Sequence, residues 1–192
     1  MSQVRSPKQL FEHELQDMYY AEKALVTTLP KLAQEASDAE LTRAFTAHQK
    51  ETEKHVSNLE KVFEHLGRSA QAHPCPGIDG IKKEHDDFMK ENDPTPQIRD
   101  AFLTGAAARA EHYEIAAYTG LVNQARALGE RDAVELLQQN LKQEKEALKK
   151  VETISKRLLK ESNGTSRSKN GSSRSRASSS RTRAKAKAGA SR

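Results

Sequence analysis

Apolar residues recur at alternating steps of four and three along the chain, with polar residues between them. The first such stretch carries Phe11, Leu15, Met18, Leu25, Leu29, Leu32 and Ala36 on one seam. The second carries Leu41, Phe45, Leu59, Val62 and Leu66. A later one carries Val134, Leu137, Leu141, Leu148, Val151 and Leu158, with Ser155 in register. This is the spacing of a helix packed in a bundle. The stretch before that last one offers two stripes. One holds Ala107, Glu111, Glu114, Tyr118, Leu121, Ala125 and Leu128; the other holds Ala108, His112, Ile115, Thr119 and Val122. Periodicity leaves both open, so His112 stays a candidate for the interior.

Punctuation residues divide the chain into four long helices. Ser6-Pro7 and Thr95-Pro96 read as helix starts, with Ser or Thr as the cap and Pro at the first helical position. Ser37-Asp38 opens the second helix after a short turn, and Gly67 ends it. Gly129 closes the third helix and Asp132 caps the fourth. Pro30 predicts a kink or bulge in the first helix. Residues 68–95 form a long connection with a short helix expected over 81–91. Helix, short turn, helix, long crossover, helix, short turn, helix is the ferritin-like order. The expected fold is thus all-α, a ferritin-like four-helix bundle with a long crossover between helices 2 and 3.

Charge interrupts the seams near their centres. Glu22 stands mid-seam in the first helix and Glu144 in the fourth. His48, Thr52 and His55 occupy the second seam, and Glu51 lies three after His48 and four before His55, so they share one stripe. Glu111 and Glu114 supply the third helix. Burying a lone carboxylate costs on the order of several kcal/mol unless it is paired or binds a metal. One carboxylate per helix, converging with imidazole, is how a four-helix bundle builds a two-metal site. Glutamate oxygen with histidine nitrogen suits iron, manganese or zinc. The candidate ligands are Glu22, His48, Glu51, His55, Glu111, Glu114 and Glu144, holding a di-iron or di-manganese pair. Tyr19, Tyr20 and Tyr118 are candidate donors behind them. The alternative is an interhelical polar network that fixes register. His73-Pro74-Cys75 is a weaker pairing of metal-ligand types in the long connection.

Composition adds a boundary. Residues 162–192 hold nine Lys/Arg and no acid, with no aromatic or large aliphatic side chain. The residues before them carry the other 23 basic side chains and all 27 acidic ones, a net of −4. Two parts follow: a bundle over 1–161 and a disordered basic tail over 162–192. Such a tail can neutralise phosphates and bind DNA or RNA without sequence preference. Its serines are candidate phosphorylation sites. The chain has one cysteine, Cys75, which excludes an internal disulfide. It shows neither an apolar run near 18 residues nor the apolar core of a secretory signal at its start. A cytoplasmic location without a membrane span is expected.

Three blocks carry a family resemblance: Leu10 to Glu22 (LFEHELQDMYYAE), His48-Gln-Lys-Glu51-Thr52 followed by Leu59-Glu-Lys-Val-Phe63, and Glu111-His-Tyr-Glu114-Ile-Ala-Ala-Tyr118. Over about residues 5–160 the chain resembles the YciE/YciF family, bacterial ferritin-like proteins associated with stress responses. The resemblance implies a dimeric four-helix bundle with a di-metal centre. The chain departs from the wider di-iron pattern at two places. Glu-x-x-His would put histidine where Lys54 stands, and Glu144-Lys-Glu-Ala147 has no histidine either. Glu114 and His55 are the residues available to replace those ligands.

The functional expectation is a stress-protective protein that handles iron or peroxide at a di-metal carboxylate site, with ferroxidase or peroxidase chemistry, held near DNA by its tail. The rival is a non-catalytic dimeric scaffold that binds nucleic acid through the tail.

Overall fold

The structure is a computed structural model that describes residues 4–174, with side chains described through Ser162. Five helices follow one another among the described residues: α1 (Pro7–Glu35), α2 (Ala39–His65), α3 (Pro76–Glu91), α4 (Pro96–Leu128) and α5 (Arg131–Arg174). α1 packs on α2, α2 on α5, α5 on α4 and α4 on α1, which closes a four-helix ring. α2 and α4 lie across the diagonal of that ring, and the connection between them carries α3 against α4. The fold is the all-α ferritin-like bundle expected from the helix order. No helix among the described residues is long and apolar enough to cross a membrane.

Local chemistry sets the helix ends. Ser6 Oγ accepts from the Gln9 amide at 3.2 Å. Asp38 Oδ1 accepts from the Glu40 and Leu41 amides at 3.0 and 2.9 Å. Gly67 (φ 67°) and Gly129 (φ 76°) are left-handed. Each is followed by an amide that reaches back to a carbonyl of the last turn, Arg68 N to Phe63 O and Glu130 N to Ala125 O. Only glycine takes that conformation without strain. Two expected caps differ. Thr95 makes no side-chain capping bond. Asp132 lies inside the first turn of α5, because the Gly129 turn lets the helix begin at Arg131.

The inward faces follow the predicted seams in α1 and α2. Phe11, Leu15, Met18, Glu22, Leu25, Leu29 and Leu32 are buried, and so are Leu41, Phe45, His48, Thr52, His55, Leu59 and Val62. α1 continues through Pro30 to Glu35, with Leu29 and Leu32 buried before and after the proline. In α4 the Glu111 stripe faces inward and His112 is exposed. In α5 the buried seam is Ala133, Leu137, Asn140, Glu144, Ala147, Val151, Ile154 and Leu158. Val134, Leu141 and Leu148 stand beside it, half-buried. Small and polar residues take three places where leucine and valine are expected, because Ala133 and Ala147 let the helices approach closely and Asn140 finds partners inside.

Polar ties fix the bundle ends. Asp100 is buried and accepts from the Ser37 amide at 2.8 Å, which joins α4 to the turn between α1 and α2. Arg157 on α5 donates to Asp38 at 2.7 Å and to Glu40 at 3.1 Å. α5 runs to Arg174, beyond the expected boundary at 161. Extending an existing helix needs no new nucleus, so weak helix formers can follow it. The remainder of the expected tail, 175–192, lies outside the described residues.

Asp38→Ala removes the cap of α2 and one partner of Arg157. The expected loss of stability is about 1–2 kcal/mol, read by chemical denaturation. Arg157→Ala should cost less, because this ion pair is partly exposed and solvent screens it. Equal losses in the two variants would assign the effect to the ion pair rather than to the cap.

Candidate metal centre

Four helices bring acidic and imidazole side chains to the bundle interior. α1 supplies Glu22, α2 supplies His48 and His55, α4 supplies Glu111 and Glu114, and α5 supplies Glu144. All six are buried, and Glu22, His55 and Glu144 are fully so. They form two groups whose ligand-type atoms lie within 4.8 Å of one another: His48, Glu111, Glu114 and Glu144, and Glu22, His55 and Glu144. Glu144 belongs to both. Its Oε2 lies 3.6 Å from His48 Nε2 and its Oε1 lies 2.8 Å from His55 Nδ1. Glu111 Oε1 is 3.2 Å from His48 Nε2, and Glu22 Oε1 is 3.2 Å from His55 Nδ1. One carboxylate therefore faces two imidazoles, with further carboxylates beside each.

Glu51 stands apart from both groups. His48, Thr52 and His55 take the buried α2 seam, which rotates Glu51 to its edge. Its side chain is 33% exposed and reaches the cluster through His48 Nδ1 at 3.4 Å. It borders a small opening of about 10 Å³ together with His48, Glu111 and Lys150. The expectation of one inward glutamate per helix thus fails on α2, where the imidazoles are inside instead. Both imidazoles come from α2, and α4 contributes two carboxylates.

The interior shifts proton affinities strongly. Burial raises the Glu114 pKa well above the usual carboxylate range, and the charges of Glu144, Glu22 and Glu111 raise it further. Burial also raises Glu22, against the opposing effect of His55. Glu144 is pushed up to about 7 by burial, again against His55. Burial opposes charge on His55, but Glu144 and Glu22 outweigh it and lift its pKa to about 10. Burial likewise opposes charge on His48, and Glu111 outweighs it to raise the pKa well above its ordinary value. Glu51, nearer to water, is lowered by His48.

Several of these atoms have no hydrogen-bond partner. Both oxygens of Glu114 and of Glu144, Glu22 Oε2 and Glu111 Oε2 are buried and unpaired by hydrogen-bond geometry. His55 Nδ1 is close to two carboxylates in distance yet aligned for a hydrogen bond to neither. Ligand atoms gathered around a common cation show that arrangement, because they point at a shared centre rather than at each other.

A hydrogen-bonded support stands behind the Glu22 and His55 side. Tyr118 OH donates to Glu22 Oε1. Asn140 Nδ2 donates to Tyr118 OH at 2.9 Å and to the His55 carbonyl at 3.3 Å, while Asn58 donates to Asn140 Oδ1 at 2.8 Å. His55 Nε2 pairs with Gln143 Oε1 at 2.9 Å. Sequence reasoning names Tyr118 but misses Asn140, Asn58 and Gln143. A signal for Asn140 exists: it falls three residues after Leu137 and four before Glu144, on the α5 seam itself. A polar residue at a seam position one turn from a buried carboxylate marks a partner of that carboxylate's surroundings. Tyr19 and Tyr20 bond elsewhere, to Glu60 and Asp79. His73 and Cys75 stay away from the cluster as well. His73 joins His13 and Asp17 near the surface, and Cys75 Sγ lies 2.7 Å from Tyr113 OH.

Asn140→Ala would leave Tyr118 and Asn58 short of partners inside the bundle. The expected cost is about 2 kcal/mol, read by denaturation of the metal-free protein. A loss within about 0.5 kcal/mol, the range of an ordinary surface change, would show that the network adds nothing to stability.

Comparison with known proteins follows the same outline. The chain is 35% identical over 143 residues to protein YciF of Escherichia coli K12, covering 74% of this chain and 86% of that protein. The crystal structure of the E. coli stress protein YciF matches with a TM-score of 0.78 at 33% identity, covering 82% of this chain and 99% of the other. YcfI of Rhodopseudomonas palustris, described as a putative structural protein, matches with a TM-score of 0.76 at 37% identity, covering 78% and 95%. These matches agree with the YciE/YciF resemblance carried by the sequence blocks. The family model for a domain of unknown function, DUF892, matches residues 6–163, and the chain belongs to that family.

Proposed function

We propose that this bundle is a stress-protective di-metal carboxylate protein that binds two iron or manganese ions and handles iron or peroxide in the cytoplasm. The observation that carries the reading is Glu144, whose two oxygens face two different imidazoles and so join the two ligand groups. The donor set fits such a pair. Carboxylate oxygen and imidazole nitrogen suit iron and manganese, and the unpaired oxygens of Glu114, Glu111 and Glu22 need a cation or protons. With neutral imidazoles, the four buried carboxylates would carry four negative charges, which two divalent ions balance. Glu22, His55 and Glu144 would hold one ion, and His48, Glu111, Glu114 and Glu144 the other. A pair of such ions, when bound, supplies two electrons, enough to reduce peroxide to two waters with two protons. The chain's own part is to fix the ligands, exclude bulk water and keep the proton of Tyr118, which burial and the charges of Glu22 and Glu144 hold on its hydroxyl beside Glu22.

A tether to DNA through the basic residues of 162–192 would place this chemistry beside nucleic acid, supported by nine positive charges without an acid. The second reading is a non-catalytic dimeric scaffold that binds nucleic acid by the same tail. The network from Glu22 Oε1 through Tyr118 and Asn140 to Asn58 favours it, because those groups find hydrogen-bond partners without metal.

Metal content separates the two. Protein purified without an affinity tag from cells supplied with iron and manganese should carry about two ions per chain, as in two-metal bundles. Glu144→Ala should lose both ions, because it removes a ligand from each group, while the protein remains helical by circular dichroism. Near-zero metal in the parent protein, persisting after anaerobic loading with ferrous iron, would leave the scaffold reading.

Metal loading should also release protons. In the metal-free cluster the charges of Glu144 and Glu22 lift the His55 pKa to about 10 and burial lifts Glu144 to about 7, so the pair retains proton at neutral pH. Ligands bind deprotonated, so protons compete with metal and apparent affinity rises with pH. Calorimetry in buffers of different ionisation enthalpy measures the release directly. A buffer-independent enthalpy would contradict it.

A further inference from the structure

A cavity of about 90 Å³ lies between α1, α3 and α4. On a comparable measure one water needs on the order of 10–15 Å³, so the space is large enough for a small molecule. Its inner end is formed by His48, Glu111 and Glu114. Its walls are apolar: Leu25, Leu29, Leu32, Ile78, Ala106 and Ala110. Glu35, His85 and Asp86 stand at the outer part with Lys31 and Lys82. Glu114 is 1% exposed and lines the cavity, and neither of its oxygens has a hydrogen-bond partner.

α3 roofs this space. Its start is held by Tyr20 OH donating to Asp79 and by the contact of Cys75 with Tyr113. Gly77 lies so close beneath the Tyr113 ring that a Cβ there would come within 2.6 Å of Tyr113 Cε2. Farther along, His85 Nε2 lies 2.8 Å from Glu35 Oε2, which ties α3 to the end of α1. The crossover helix is therefore fastened at its start and again at His85 over an apolar-walled space that reaches the cluster.

The walls decide what enters. Along the leucine, isoleucine and alanine walls a charged species would lose hydration and find no partner before the carboxylates at the inner end, whereas a small neutral molecule loses little. Apolar walls of this kind favour small neutral molecules such as xenon over ions. The other opening to the cluster, beside Glu51 and Lys150, is far smaller at about 10 Å³.

We propose that the cavity roofed by α3 is a binding pocket for a small neutral molecule of the size and polarity of dioxygen, placed against Glu111 and Glu114. Its role in oxidation rests on the metal reading above; its occupancy does not. Xenon is the probe. In the full-length, metal-free protein, xenon pressure should shift the NMR signals of Leu25, Ile78 and Ala110. Ala106→Leu and Ile81→Phe fill the space from opposite walls and should each abolish those shifts. Ile81 is half-buried, so at least that substitution should leave the fold intact. In ferrous-loaded protein, the same variants should consume oxygen severalfold more slowly with unchanged metal stoichiometry. Absence of xenon shifts in the parent protein would overturn the pocket. Loss of xenon binding with an unchanged oxidation rate would overturn its role in delivery. A protein that takes up xenon but binds no metal would refute the metal reading and leave the pocket standing.

Discussion

Four carboxylates buried among two imidazoles are the constraint on which the rest of this structure depends. Burial alone would force such groups to take up protons, and the raised proton affinities of Glu22, Glu114 and Glu144 show that pressure. An arrangement this costly persists only where the surrounding helices hold it together. The ring of α1, α2, α5 and α4 does so with apolar seams on either side of the charged layer. Phe11, Leu15 and Met18 lie before Glu22 in α1, and Leu25, Leu29 and Leu32 after it.

Much of this is legible in the sequence because helical spacing exposes a misfit. A glutamate at a seam position is conspicuous, so Glu22 and Glu144 can be picked out without coordinates. So can the pairing of His48 with His55, seven residues apart on one stripe. α4 is harder, since its alanine-rich sequence gives two faces of nearly equal hydrophobicity. The packed helix resolves that ambiguity by burying Glu111 and Glu114 and exposing His112. The seam of α5 is misjudged in part when leucine is taken as the mark of burial. At a close helix contact alanine fills the space, and Leu141 and Leu148 are displaced to the side.

Other features depend on contacts that no local pattern contains. Asp100 meets the Ser37 amide, 63 positions away in the chain. Asn140 finds Asn58 and Tyr118 from two other helices. Glu51 resembles an inward ligand because it lies between two histidines, yet a helix stripe has edges. A carboxylate at the edge reaches water more cheaply than one at the centre. The roof over the cavity is also hidden, since the crossover can be recognised as long but not as fastened to α1 and α4.

The two ends of the cluster differ in their support, and that difference bears on how it works. Around Glu22 and His55, side chains of α2, α4 and α5 supply hydrogen bonds, and the geometry is held from behind. Around Glu111 and Glu114, His48 meets Glu111 but the other neighbours are alanines and the cavity, and both oxygens of Glu114 are unpaired. Ligands held by an outer layer of hydrogen bonds keep their orientation. Ligands facing open space can move as a small molecule or an ion arrives. Glu144 connects the supported end to the open one, so a change in charge at the cavity is felt at His55 through a single carboxylate. Fixed geometry on one side and adjustable geometry on the other suit the proposed two-metal role, in which the site would both retain ions and react.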